Sequence, residues 1–198
     1  MITFVCVLKS GGIYTAEWVR KLSRGVAEHY DAHHRFVCLS DVPVPCERIQ
    51  LATGSQGWWA KAEAFRHDLG PVVYIDLDGI IVGDLTPLAN ACQGLPLTLI
   101  HDLYQPDNLA SGVMLWDGPQ MDAYEATRDP GPRKQRMDLK LRTVVPRDRP
   151  TVQDLVPGSV ESIKRKAKYG PPDGCIIACA HGRDKWVTPW AREHWEAL

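Results

Sequence analysis

Pro71-Val72-Val73-Tyr74-Ile75 is an unbroken apolar run, and it stops on Asp76-Leu77-Asp78. A run rich in β-branched and aromatic residues fits a strand buried on both faces, the environment of a parallel sheet covered by helices on both sides. Side chains two apart on a strand share a face, so Asp76 and Asp78 present two carboxylates to one spot where the strand ends. Gly79 follows and leaves room for backbone to approach a ligand. Two carboxylates at one spot repel each other unless a cation joins them, and hard divalent ions such as Mn²⁺ or Mg²⁺ prefer such oxygen ligands. A solvated turn is the alternative for any D-x-D. The strand before it argues for a metal site.

The rest of the chain alternates strand and helix patterns. Strands are expected over residues 2–8, 35–39, 47–51, 72–76, 97–101, 112–116 and 175–180. Helices are expected over 14–30 (with Thr15 as N-cap), 58–67, 88–92, 121–128 and 152–155. Residues 53–57 read as a loop, and 129–150, rich in Pro, Arg and Lys, as a mobile loop or irregular insertion. This order predicts an α/β domain with a mostly parallel sheet, in which ligands bind beyond the carboxyl ends of strands. No repeat or second domain is visible, so residues 1–198 are expected to form one domain.

Bulk properties narrow the class. No apolar stretch approaches the ~20 residues that span a bilayer, and the first residues read as a strand rather than a signal peptide. The six cysteines are scattered, without a C-x-x-C pair, and fit free buried thiols in a cytoplasmic protein. The formal net charge of −1 hides an asymmetry: residues 128–168 hold 12 Lys/Arg against 5 Asp/Glu, or +7, leaving −8 elsewhere. Such a segment suits either a solvated face or a polyanionic partner.

Three further motifs carry chemistry. His181-Gly182-Arg183-Asp184-Lys185 follows the last expected strand. There a histidine can complete a metal site and a lysine can meet a phosphate. Trp58-Trp59-Ala60-Lys61-Ala62-Glu63-Ala64-Phe65 reads as a core-packing helix with Lys61 and Glu63 exposed, or with Lys61 aimed at an anion. Ser111-Gly112 opens the strand ending at Trp116, where a hydroxyl and bare backbone can meet a sugar.

Taken together, W-W-A-K-x-E-x-F, V-V-Y-I-D-L-D, S-G-V-M-L-W, Q-D and H-G-x-x-K, in that order behind a first strand and Tyr14, resemble glycosyltransferases of the GT-A fold. Family 8 and its small bacterial and phage members are the nearest match, over residues 2 to about 190. The resemblance implies a three-layer α/β/α fold and transfer of a sugar from a nucleotide sugar, UDP-linked, to an acceptor hydroxyl with retention. It implies Mn²⁺ or Mg²⁺ held by Asp76, Asp78 and His181, with Asp76 also touching the donor ribose. Lys185 and the Gly182 backbone would bind the diphosphate, and Tyr14 and the loop at Lys9 the base. Lys61 would reach diphosphate or sugar, Ser111 and Gly112 would border the sugar, and Gln153 would sit near the anomeric carbon with Asp154 beside it. Three positions depart from the pattern: Val152 replaces an Asp, Ala110 an Asn and Trp186 a Pro.

No carboxylate nucleophile stands out beyond Asp154, so front-face attack assisted by the leaving diphosphate is the expected mechanism. The acceptor is open: a glycan, a protein, or nucleic acid met by residues 128–168. Two other readings remain. Tyr74-Ile-Asp-Leu-Asp-Gly79 also resembles the aspartyl nucleophile motif of haloacid dehalogenase-like phosphatases, and the domain can instead bind a nucleotide sugar or polyanion without turnover.

Overall fold

The computed structural model describes residues 1–52, 54, 57–131, 136–182, 185 and 188–198. Most of the loop expected over 53–57 and the position of Trp186 lie outside the described residues, as do Arg183 and Asp184 within H-G-x-x-K.

A six-stranded sheet forms the centre. In chain order its strands are β1 (Ile2–Leu8), β2 (His34–Ser40), β3 (Glu47–Gln50), β4 (Pro71–Ile75), β6 (Thr98–His101) and β7 (Leu109–Asp117), and in space they run β3-β2-β1-β4-β7-β6. β1 pairs in parallel with β2 and β4, and β2 with β3, whereas β7 lies antiparallel to both β4 and β6. Only β7 therefore runs against the rest. The carboxyl ends of the other five strands share one edge, and β7 begins there.

The expected burial on both faces is present. On β4, Val73 and Ile75 pack with Val19, Leu22 and Val26 of α1 (Ala16–His29) and with Leu88 of α2 (Thr86–Ala91). Val72 and Tyr74 face the other way, onto the buried side of a 3₁₀ helix (Gly57–Arg66) and onto α3 (Met121–Thr127). Helix, sheet and helix form three layers, with every β4 side chain from Val72 to Ile75 buried.

Several expectations change. The helix expected over 58–67 is a 3₁₀ helix over Gly57–Arg66 rather than an α-helix, and Lys61 and Glu63 are buried rather than exposed. The described part of 129–150 is anchored to the core. It contains α4 (Met137–Leu141), whose Met137 and Leu141 enter the core beside Trp116 and Phe65. Pro and charge density hid those two apolar anchors, which are one helical turn apart. A second sheet was not anticipated in full. Its strands β5 (Gly79–Ile81), β8 (Val160–Ser162) and β9 (Ile177–Cys179) lie in the order β5-β9-β8 and are three residues each, too short to show a period. Ile80, Ala178 and Ala180 pack there against Trp195 of α6 (Pro189–Ala197). Thr15 occupies the N-cap of α1, but its side chain makes no capping bond. By contrast, Thr151 caps α5 (Val152–Leu155) in a full capping box with Asp154.

All six cysteines are free, as expected. Among the described residues no helix is long and apolar enough to cross a membrane.

Candidate functional site

The strand ends place a polar residue at nearly every position along the shared edge. Lys9 follows β1, Asp41 follows β2, Asp76 follows β4 and Asp102 follows β6. Period-two alternation carries Asp76 onto the same face as Tyr74, whose hydroxyl donates to Asp76 Oδ1 at 2.8 Å. That is the face of the 3₁₀ helix, so Lys61 reaches the same carboxylate: its Nζ lies 2.8 Å from Asp76 Oδ2 and 3.2 Å from the Ser111 carbonyl. The Asp76 N–H donates to the Gly112 carbonyl at 2.8 Å, which fixes the start of β7 against the D-x-D turn.

The turn then tightens. The Gly79 N–H donates to the Asp76 carbonyl at 2.8 Å, and a Cβ at Gly79 would lie 2.6 Å from Ile75 Cγ2. A side chain there would collide with Ile75 of β4, so the tight turn itself calls for glycine. The Ala180 N–H donates to the Asp78 carbonyl at 2.9 Å and so brings the end of β9, with His181 beyond it, to the D-x-D. Asp78 is buried, accepts from the Tyr14 hydroxyl at 3.0 Å and is ion-paired with Lys185.

Two cavities meet at this pair, sharing Lys61, Asp76 and Asp78. One, of about 460 Å³, is lined by the Lys9–Tyr14 loop, Trp58 and Lys185. The other, of about 350 Å³, is lined by Asp102, Ser111, Gly112, Arg136, Asp138 and His181, among others.

Charge is balanced locally. Each carboxylate holds a lysine ammonium. Burial raises the Asp76 carboxyl above the usual range, Lys61 opposes that rise and Asp78 adds to it. Tyr14 is pushed far up by burial and by the charge of Asp78, so it stays a neutral hydrogen-bond donor. Burial lowers His181, with Lys164 and Lys185 adding to the shift, and leaves the imidazole neutral near pH 7.

That donor set fits a divalent cation in chemical type, since two carboxylates and a neutral imidazole line one cavity. Their present orientation is another matter. His181 Nε2 lies 2.7 Å from Ser162 Oγ, and lysines cover both carboxylates. Among the described residues no three His, Cys, Asp or Glu side chains converge on one point. His181 must turn, or use Nδ1, to join Asp76 and Asp78 as a ligand.

Lys9, Tyr14, Lys61, Asp76, Asp78, Ser111, Gly112, His181 and Lys185 thus line the two cavities. Gly182 is beside them with φ +84°, a left-handed value that suits glycine. Gln153 and Asp154 are placed elsewhere. The Gln153 side-chain oxygen accepts from the His101 N–H at 3.0 Å, and the Asp154 carboxylate accepts from the Thr151 N–H at 2.8 Å. Neither lines the cavities, because the capping box turns Asp154 back onto its own helix and Val152 is fully buried in the core.

Residues not singled out as site candidates also enter. Asp41 accepts from Lys9 Nζ at 2.5 Å and from the Ser10 N–H at 2.8 Å, bracing the loop over the larger cavity. Trp58, 60% exposed, offers a flat apolar face there. Lys164, read from sequence as part of the basic segment, brings Nζ within 3.2 Å of where a Gly182 Cβ would sit. Its ammonium makes no ion pair among the described residues. Asp102 was legible in principle as the residue directly after a strand. Arg136 and Asp138 were not, because only tertiary packing of α4 brings them in.

No family model and no curated protein matches the chain. Solved structures do. The apo form of the glycosyltransferase GlyE of Streptococcus pneumoniae TIGR4 superposes with TM-score 0.69 at 16% identity, covering 98% of this chain and 59% of that one. A further GlyE structure gives TM-score 0.71 at 14% identity, covering 99% and 60%. The galactosyltransferase LgtC, in complex with donor and acceptor sugar analogues, gives TM-score 0.54 at 12% identity, covering 99% and 96%. The chain therefore spans about three fifths of the length of GlyE. At such identities the likeness is one of architecture: the chain has the GT-A fold of these glycosyltransferases.

Proposed function

We propose that the protein transfers a sugar from a nucleotide-sugar donor, UDP-linked, to an acceptor hydroxyl. One observation carries this reading: two cavities of different character share Asp76, Asp78 and Lys61. A nucleotide sugar has the matching layout, with base and ribose on one side of a diphosphate and a sugar on the other. Tyr14 and Trp58 give the larger cavity flat faces for a base. Lys185 and Lys61 supply positive charge where the diphosphate crosses between the cavities.

Asp76 and Asp78, with His181 turned towards them, would hold Mn²⁺ or Mg²⁺. When bound, such a cation supplies Lewis-acid stabilisation of negative charge on the diphosphate. Lys185 and Lys61, released from the carboxylates, are then free to face the phosphate oxygens. The bond from the anomeric carbon to the diphosphate oxygen breaks with its electron pair on oxygen, where Lys185 stabilises the charge. The acceptor oxygen bonds to that carbon, and its proton passes to the departing diphosphate. Among the described residues Asp76 and Asp78 are the carboxylates shared by both cavities, Asp102 and Asp138 of the smaller one are engaged by Arg136 and Ser111, and Gln153 and Asp154 line neither. Front-face attack with retention is the mechanism that needs no protein nucleophile.

The phosphatase reading fits less well, because the strand carrying Asp76 lies within the GT-A architecture and Asp76 is held by Lys61 and Tyr74. A thermal-shift screen of UDP-, GDP- and ADP-sugars, with and without Mn²⁺, tests the proposal, since a ligand that binds the native state raises its apparent stability. Stabilisation by a UDP-sugar that grows with Mn²⁺ is expected. No shift with any donor would refute it. Proton NMR of the product's anomeric centre tests retention, and an inverted product would remove front-face attack.

A further inference from the structure

The smaller cavity has a wall that does not belong to the D-x-D or to H-G-x-x-K. Ser111 Oγ donates to Asp138 Oδ1 at 2.7 Å, and Arg136 reaches Asp138 Oδ2 at 3.1 Å and Asp102 Oδ2 at 3.4 Å. Asp102 is itself fixed by the N–H groups of Tyr104 at 2.9 Å and Gln105 at 3.2 Å. On its other side Ser111 touches Lys61, which holds Asp76. A connected polar chain thus runs from the D-x-D across the cavity to α4. Ile100, Leu103 and Ala110 supply apolar lining between these groups.

Resting on the donor reading above, we propose that Asp138, with Asp102 and Arg136, is the sugar-selecting wall of this cavity, and that it admits neutral hexoses and rejects uronic acids. The two carboxylates and one guanidinium carry a net charge of −1. A carboxylate accepts hydrogen bonds from adjacent sugar hydroxyls, and such charge-assisted bonds are the strong ones. A carboxylate on the sugar would face Asp102 and Asp138 at close range, which a low-dielectric cavity penalises. The wall also answers two of the three departures in the motifs. Val152 is buried in the core and cannot reach a sugar, and Ala110 has no polar group. Asp138 enters from a different segment and presents a carboxylate beside Ser111, immediately after Ala110.

The test is calorimetric titration of the whole chain, in Mn²⁺, with UDP, GDP and their glucose, galactose, mannose and glucuronate derivatives. The readout is the sugar increment, the affinity for a nucleotide sugar relative to its free nucleotide. A neutral sugar is expected to bind about tenfold tighter than its free nucleotide, in line with one charge-assisted hydrogen bond, while UDP-glucuronate shows no gain. Asp138→Asn keeps the shape and the bond to Ser111 but loses the charge. It is expected to cut the neutral-sugar increment several-fold and to narrow the discrimination against UDP-glucuronate, with affinity for the free nucleotide within about twofold of wild type. Asp138→Ala is the second variant, and a melting curve checks that each folds. Asp102 is a poorer target, because its carboxylate also holds its own loop. Equal binding of glucuronate and neutral sugars by the wild type overturns the inference, as does an unchanged increment in both variants. If neither nucleotide binds at all, the donor reading itself fails, and this inference with it.

Discussion

The two cavities that meet at Asp76 are built in different ways. The larger is assembled from short contiguous stretches: the loop after β1, the start of the 3₁₀ helix and the D-x-D. Within each stretch the residues are neighbours in sequence, two of the stretches lie at the ends of the parallel strands β1 and β4, and Lys185 joins them from beyond β9. The smaller takes Asp102 from the end of β6, Ser111 from the start of β7 and Arg136 and Asp138 from α4, and only tertiary packing joins them. A site made of strand ends can be read from hydrophobic runs and the polar residues that cap them. A wall made by a helix anchored on two side chains cannot.

The largest effect should come from the shared floor. Asp78→Asn is expected to lower donor turnover on the order of 10²–10³-fold, the usual cost of removing one preorganised electrostatic contact. Hydrolysis or transfer from a UDP-sugar measures it. A loss below tenfold would mean that the cavities do not share a reacting centre. Next comes the anchoring of the smaller wall. Leu141 is fully buried, and Leu141→Ala should cost about 2–5 kcal/mol in urea unfolding. A cost under ~0.5 kcal/mol, the level of a surface change, would restore the reading of 129–150 as a loose insertion.

Both regions show what the sequence can and cannot reveal. Strand β4 and its burial were legible because Val72, Val73, Tyr74 and Ile75 leave no polar side to face water. Lys61 was ambiguous because Trp58-Trp59-Ala60-Lys61 fits several helical phases. Only the 3₁₀ winding over Gly57–Arg66 settled that it faces Asp76. Gln153 and Asp154 drew attention as a motif, yet Thr151 turns Asp154 into a helix cap. A Thr three residues before an Asp was itself a capping signal. The strands β5 and β8 were too short to announce themselves.

Lys164 separates the two regions on a finer scale. Its charge lies beside Gly182 and His181, whereas Lys166 pairs with Glu161 at the surface. Lys164→Ala should weaken UDP binding about fivefold, a charged contact discounted for its partial exposure. Lys166→Ala should leave it unchanged. Equal effects would return Lys164 to a general basic surface. The smallest effect concerns pH. Burial holds His181 below its ordinary value, so as pH falls below about 6.5 the unfolded chain takes up a proton that the folded site resists. Stability is therefore fully present above that value and declines below it. His181→Gln should flatten part of the decline between pH 7.5 and 5.5 in urea midpoints, with His67, also lowered by burial, keeping a share. An unchanged slope would mean that His181 is not shielded as described.

The central claim is that one donor spans both cavities across a cation at Asp76 and Asp78. Calorimetry of UDP binding with and without Mn²⁺, and of Mn²⁺ binding with and without UDP, tests it most directly, because coupling between two ligands is reciprocal. The account predicts that each tightens the other by the same factor, and that Asp78→Asn abolishes the coupling. Independent binding of the two, or coupling that survives in Asp78→Asn, would contradict it.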